Sequence, residues 1–172
     1  MLRVFPVVMI VIAAVGAITP QDSSYRSLVL SAADSALVEF EAGRFWHAAR
    51  MLREQNAATG KPEDVLLLAR AEAGWGNWSA VTELLDGAEW LPGESGAIGL
   101  SLLGRAWEAR GQWVEAAESY SRYVDLSSSG TTRHHASIVR WTRSLWKSGE
   151  REASFIALHQ LAPHFGAQSW TA

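Results

Sequence analysis

The sequence predicts an all-α fold, a right-handed α-solenoid of about four helix-turn-helix hairpins behind an N-terminal signal peptide. Three observations predict it. A Gly-anchored pattern recurs four times, at spacings of 33, 35 and 38 residues. Small and large residues hold fixed places around each of those glycines. No segment sustains the period-two alternation of a half-buried strand.

The chain begins with a targeting pattern. Arg3 is the only charge before Asp22, and an apolar run from Val4 to Ile18 lies between them. That run falls short of the roughly 20 residues of a membrane-spanning helix. Val15-Gly16-Ala17 places small residues where a signal peptidase cuts, so residues 1–17 are expected to be removed and the protein exported to the periplasm or cell envelope. An uncleaved anchor is the alternative, and membrane contact is expected only through this segment. Residues 18–30 read as a flexible lead-in.

The repeats follow over residues 31–162. The copies begin at Gly43-Arg44-Phe45-Trp46-His47-Ala48, Gly76-Asn77-Trp78-Ser79-Ala80-Val81, Gly111-Gln112-Trp113-Val114-Glu115-Ala116 and Gly149-Glu150-Arg151-Glu152-Ala153-Ser154. Each Gly supplies the positive φ that ends one helix and turns tightly into the next. Five residues on stand Ala48, Val81, Ala116 and Ser154, small enough for close helix approach. Leu52, Leu85, Tyr120 and Leu158 follow one helical turn later on the same face. Seven residues before the Gly stand Ala36, Ala69, Gly104 and Thr142. The expected helices are 31–42 with 44–57, 63–74 with 77–87, 97–110 with 112–126, and 132–148 with 150–161. Between the hairpins lie the breakers Gly60-Lys61-Pro62, Pro92-Gly93 and Ser127-Ser128-Ser129-Gly130. Residues 163–172 read as the start of a further unit cut short.

On these residues the segment from Ser31 to Ala162 resembles the tetratricopeptide repeat (TPR). The third copy carries the pattern best, with Leu103-Gly104, Trp107, Gly111-Gln112-Trp113, Ala116 and Tyr120. Arg151 replaces the turn aromatic of the fourth copy, and Glu39 and Glu72 stand where the repeat prefers an aromatic. The resemblance implies a scaffold that binds protein partners.

The composition narrows the chemistry. With no cysteine among 172 residues, disulfides, thiolate metal sites and cysteine nucleophiles are excluded. A formal net charge of -3 argues against a nucleic-acid partner. His134 and His135 are sequence neighbours, so on a helix they diverge by about 100° and share a metal poorly; a surface or capping role is expected. No catalytic residue, cofactor site or metal site emerges. Glu94-Ser95 resembles the Glu-Ser motif that carries the acid of lytic transglycosylases, but that family's downstream Gly-x-Met-Gln segment is missing, and the dipeptide falls in an inter-hairpin loop, where either residue could cap the next helix. Of the nine Trp, Trp78, Trp107 and Trp113 occupy repeat positions and are expected in the core. Trp46, Trp75 and Trp90 lie at turns and hairpin edges, and with Arg50 they are the candidate ligand-binding residues.

A second resemblance rests on the export signal followed by Phe45–Leu52, Pro62–Ala71 and Gly74-Trp75-Gly76-Asn77-Trp78. Together these resemble the N-terminal helical region of bacterial soluble lytic murein transglycosylases. It implies a non-catalytic arm that positions peptidoglycan or envelope proteins for an enzyme domain beyond Ala172. A free-standing TPR adaptor binding protein partners in the cell envelope is the alternative.

Overall fold

The computed structural model describes residues 32–159. The expected signal segment, lead-in and partial C-terminal unit lie outside the described residues. Within them are eight α-helices and no strand: α1 (Ala32–Glu41), α2 (Phe45–Thr59), α3 (Pro62–Gly74), α4 (Trp78–Leu85), α5 (Ile98–Ala109), α6 (Trp113–Leu126), α7 (Thr132–Ser148) and α8 (Arg151–His159). None is long and apolar enough to cross a membrane. Each helix packs on the next in sequence, and α1 also touches α3, as α3 touches α5.

The hairpin corners are built identically. Gly43, Gly76, Gly111 and Gly149 all adopt φ between 74° and 96°. The N–H of the residue after each Gly donates to the carbonyl five residues earlier: Arg44 to Glu39, Asn77 to Glu72, Gln112 to Trp107 and Glu150 to Leu145, all at 2.9 Å. The Gly N–H donates to the carbonyl of the third residue back, completing a Schellman motif. Arg44, Asn77 and Gln112 then take φ of -81° to -88° and ψ of 60° to 80°, an inverse γ-turn. Their carbonyls accept from Ala48, Val81 and Ala116, and that of Glu150 accepts from Ser154, which starts the second helix of each pair. The aromatic two residues after Gly is thereby the first residue of that helix in three of four copies.

The residue columns pack as their sizes require. Ala36, Ala48, Ala69, Val81 and Ala116 are fully buried, as are Leu85 and Tyr120. The central core joins Leu66, Leu85, Leu91, Leu100, Leu103, Tyr123 and Ile138; a second cluster centres on Leu52 and Leu68, and a third on Ala117, Leu145 and Ala157. Leu158 departs from its column and is exposed, while Ala157 beside it is buried.

The second junction between hairpins differs from the expectation. A loop runs from Asp86 to a short 3-10 turn at Ser95–Ala97, and α5 begins only at Ile98. Ser95, Gly96 and Ala97 all have positive φ. Neither Glu94 nor Ser95 caps α5, whose N-cap is Ala97 without a side-chain bond; the Ser95 hydroxyl instead donates to Glu94. Leu91 anchors this loop by packing into the central core against Gly99. The third junction does use a side-chain cap, with the His134 N–H donating to Thr131 Oγ1.

Candidate ligand groove

The odd-numbered helices each carry residues to one shared hollow of about 270 Å³. Phe40 of α1, Arg70 and Gly74 of α3, Ser101 and Arg105 of α5, and Arg133 of α7 line it, with Phe45 entering from the start of α2. The Phe40 and Phe45 rings meet edge to face at 5.4 Å. Gly74 is required there, because a Cβ would collide with the Phe45 ring. The groove floor continues into a buried hydroxyl pair, Ser101 Oγ and Ser137 Oγ at 3.1 Å, which ties α5 to α7.

The basic residues are set by the repeat. Arg70, Arg105 and Arg143 each stand six residues before a turn glycine. Each guanidinium lies over an aromatic ring of the preceding hairpin: Arg70 over Phe40 at 4.8 Å, Arg105 over Trp78 at 5.4 Å and Arg143 over Trp113 at 6.0 Å. Such contacts orient a cation while leaving its N–H edge to solvent.

The fourth hairpin treats its cation differently. Arg143 lies 3.3 Å from Glu108 Oε1, and Arg140 Nη1 donates to Glu108 Oε2 at 2.6 Å. The Tyr120 hydroxyl donates to that same oxygen at 3.0 Å. Burial pushes the Tyr120 phenol well above its usual range, and the neighbouring Glu108 carboxylate adds to the shift. A further carboxylate sits deep in the second hairpin. Glu72 is fully buried, with Arg53 2.6 Å from Oε1 and Asn77 Nδ2 donating to Oε2 at 2.8 Å. The corner thus accommodates a Glu where the repeat prefers an aromatic.

The residues singled out from sequence lie elsewhere. Trp46 is 48% exposed on α2, with the Arg50 guanidinium 5.9 Å from its ring centroid and Arg50 also 3.5 Å from Glu54. Trp75 is 44% exposed just past α3. Trp90 is half-buried against the central core. The structure therefore joins Trp46 to Arg50, and none of the four lines the groove. Trp78 and Trp107 pack half-buried against the core as expected, while Trp113 is half-buried beneath Arg143. His134 corrects the surface reading of the histidine pair: it is buried, with Nδ1 2.7 Å from Ser127 Oγ. Among the described residues no three His, Asp or Glu side chains gather as a metal site requires. Glu94 is half-buried beside Ser95 and does not line the groove.

Two solved structures share this architecture. Both show nearly identical TPR-like repeats of a Podosopora anserina protein assigned as a kinesin light chain. A point-substituted form of it superposes with a TM-score of 0.61 at 24% identity, over 86% of this chain and 76% of that one. The other gives 0.59 at 21% identity, over 87% and 84%. The fold is that of TPR-like repeats. No family model and no curated protein matches the chain.

Sequence reasoning missed the groove, although its signal was present. Arg70 and Arg105 recur 35 residues apart at one repeat position, as do the second and third turn glycines. Reading the columns for charge as well as size would have found them.

Proposed function

We propose that this chain is a non-catalytic scaffold that binds a protein partner in the groove across α1, α3, α5 and α7. The observation carrying the proposal is the lining: three guanidiniums and two phenyl rings face one hollow, with no acid among them. Repeat folds build extended recessed surfaces of this kind, and their use is binding. A partner recovered with the full chain should be lost on Phe40→Ala combined with Arg105→Gln. It should be retained on Trp46→Ala combined with Arg50→Gln. The reverse outcome would move the site to the α2 edge.

The finer reading places this scaffold in the cell envelope, serving a peptidoglycan-cleaving enzyme. Its support is the targeting pattern of residues 1–17 and the motifs at Phe45–Leu52 and Gly74–Trp78. Mass spectrometry of the mature N-terminus tests export, and an intact Met1 on a cytoplasmic protein would refute it. Sedimentation with murein sacculi tests the ligand. Capture of an envelope protein without sacculus binding would favour a free-standing adaptor instead.

A further inference from the structure

We propose that the groove selects an extended acidic segment of its partner, whose carboxylates stand about three residues apart and are gripped by Arg70 and Arg105. This deepens, and rests on, the reading of the groove as the binding site. The chain as a whole is acidic, with 18 Asp and Glu against 15 Lys and Arg. The groove reverses that balance, since Arg70, Arg105 and Arg133 line it and no carboxylate does. Among the described residues the ion pairs engage Arg44, Arg50, Arg53, Arg140 and Arg143, and none engages the three groove arginines. The groove guanidiniums are nevertheless held in place, Arg70 over Phe40 and Arg105 over Trp78. Side chains ordered in advance lose less freedom on binding. A guanidinium edge presented this way matches a carboxylate through two parallel N–H···O bonds.

The spacing follows from the repeat. Arg70 and Arg105 occupy the same register position on α3 and α5, which touch directly. Packed helices lie about 8–10 Å apart. An extended ligand in the polyproline II conformation rises about 3.1 Å per residue with three residues per turn, so one repeat corresponds to about three ligand residues and every third side chain returns to the same face. The apolar part of the lining, Phe40, Phe45, Leu66 and Ile98, calls for an aliphatic side chain between or beside the acids. That favours a peptide over a nucleic acid or another uniform polyanion, which would leave those rings facing phosphates. A hollow of about 270 Å³ admits a side chain or two of a single extended segment.

The test uses the full chain and short, amidated, fluorescein-labelled peptides read by fluorescence anisotropy. One peptide carries Glu at every third position with Leu between. A second has the same composition with its glutamates contiguous, and a third replaces each Glu by Gln. The spaced peptide is expected to bind at least about tenfold tighter than the contiguous one, and less tightly as salt rises. Arg70→Gln and Arg105→Gln should each weaken it by about tenfold, whereas Arg50→Gln on α2 should leave it unchanged. Circular dichroism confirms that each variant is folded. Equal binding of spaced and contiguous peptides would overturn the spacing. Equal binding of the Gln peptide, lost on Phe40→Ala, would overturn the anionic ligand while leaving the groove as the site. A heparin fragment competing as tightly as the spaced peptide would overturn peptide selection. Failure of all three peptides to bind the folded chain would overturn the proposal outright, while loss of the native partner on the groove substitutions would still uphold the site itself.

Discussion

Substituting Gly104 by Ala separates two opposed effects at one atom. In the interior of an exposed helix, Gly→Ala adds about 1 kcal/mol through helix propensity. Gly104 sits within α5, where a Cβ would lie 2.8–2.9 Å from Cε1, Cδ1 and Cζ of Tyr120. The ring cannot easily yield. Tyr120 is fully buried, and its hydroxyl is tethered to Glu108, which Arg140 also holds. Overpacking a tight core site costs about 1–3 kcal/mol. The clash therefore outweighs the propensity gain, and Gly104→Ala should destabilise the fold by about 1 kcal/mol. Replacing the ring removes the obstacle. In a Tyr120→Leu background the same Gly104→Ala change should be neutral or stabilising, with a coupling of about 1–3 kcal/mol across the cycle. Urea unfolding of the four proteins, followed by far-UV circular dichroism, gives each term. A higher midpoint for Gly104→Ala alone would refute the reasoning, because α5 and α6 would then have room that the structure denies them.

Gly111 offers the contrasting case: at φ 74° a Cβ there meets nothing within 4 Å, so Gly111→Ala should cost only the backbone term of about 1–2 kcal/mol, read as a lowered thermal midpoint. Arg53→Ala leaves the fully buried Glu72 with Asn77 but without its cation; because Arg53 is itself half-exposed, the loss should be about 2 kcal/mol by chemical denaturation, less than for a fully buried pair. The phenol of Tyr120 titrates higher in the folded chain than in the unfolded one, so its contribution is complete below about pH 10 and drains away as pH rises beyond that. Tyr120→Phe should accordingly flatten the fall of the denaturation midpoint in alkaline solution, and an unchanged slope would show that the ring is not shielded as described.

The corners were the most legible part of the chain. A helix that must stop and turn within two residues needs positive φ, and Gly43, Gly76, Gly111 and Gly149 announce that need directly. The small residues around them were equally readable, because close helix approach restricts size whatever the context. Leu158 broke its column because in α8 it is Ala157, one position earlier, that packs inward with Ala117 and Leu145. Ser95 and Ala97 were hidden for another reason. Their left-handed backbone lies in a loop whose Leu91 packs into the core, and neither residue type signals it. The groove was not legible from residue size, because Arg70 and Arg105 enter it from exposed helix positions and only their charge recurs with the repeat. Trp90 was equally illegible, since a turn-edge position can still pack inward when the loop carrying it folds onto the core.

Glu108 gives the third and fourth hairpins a shared fate. Among the described helices most contacts run between sequence neighbours, so opening can progress hairpin by hairpin. Without cross-links each hairpin would peel away at its own modest free energy. The Glu108 clasp reaches forward from α5 to Arg140 and Arg143 on α7 and sideways to Tyr120 on α6, and Ser101 with Ser137 adds a second link between α5 and α7. Peeling α7 off would strand a nearly buried carboxylate and a buried hydroxyl together, so α5, α6 and α7 should open as one cooperative block rather than one at a time. Hydrogen exchange would then show matched protection in these three helices. Amides around the exposed Gly60 corner, where α2 meets α3, would exchange through smaller and more frequent openings.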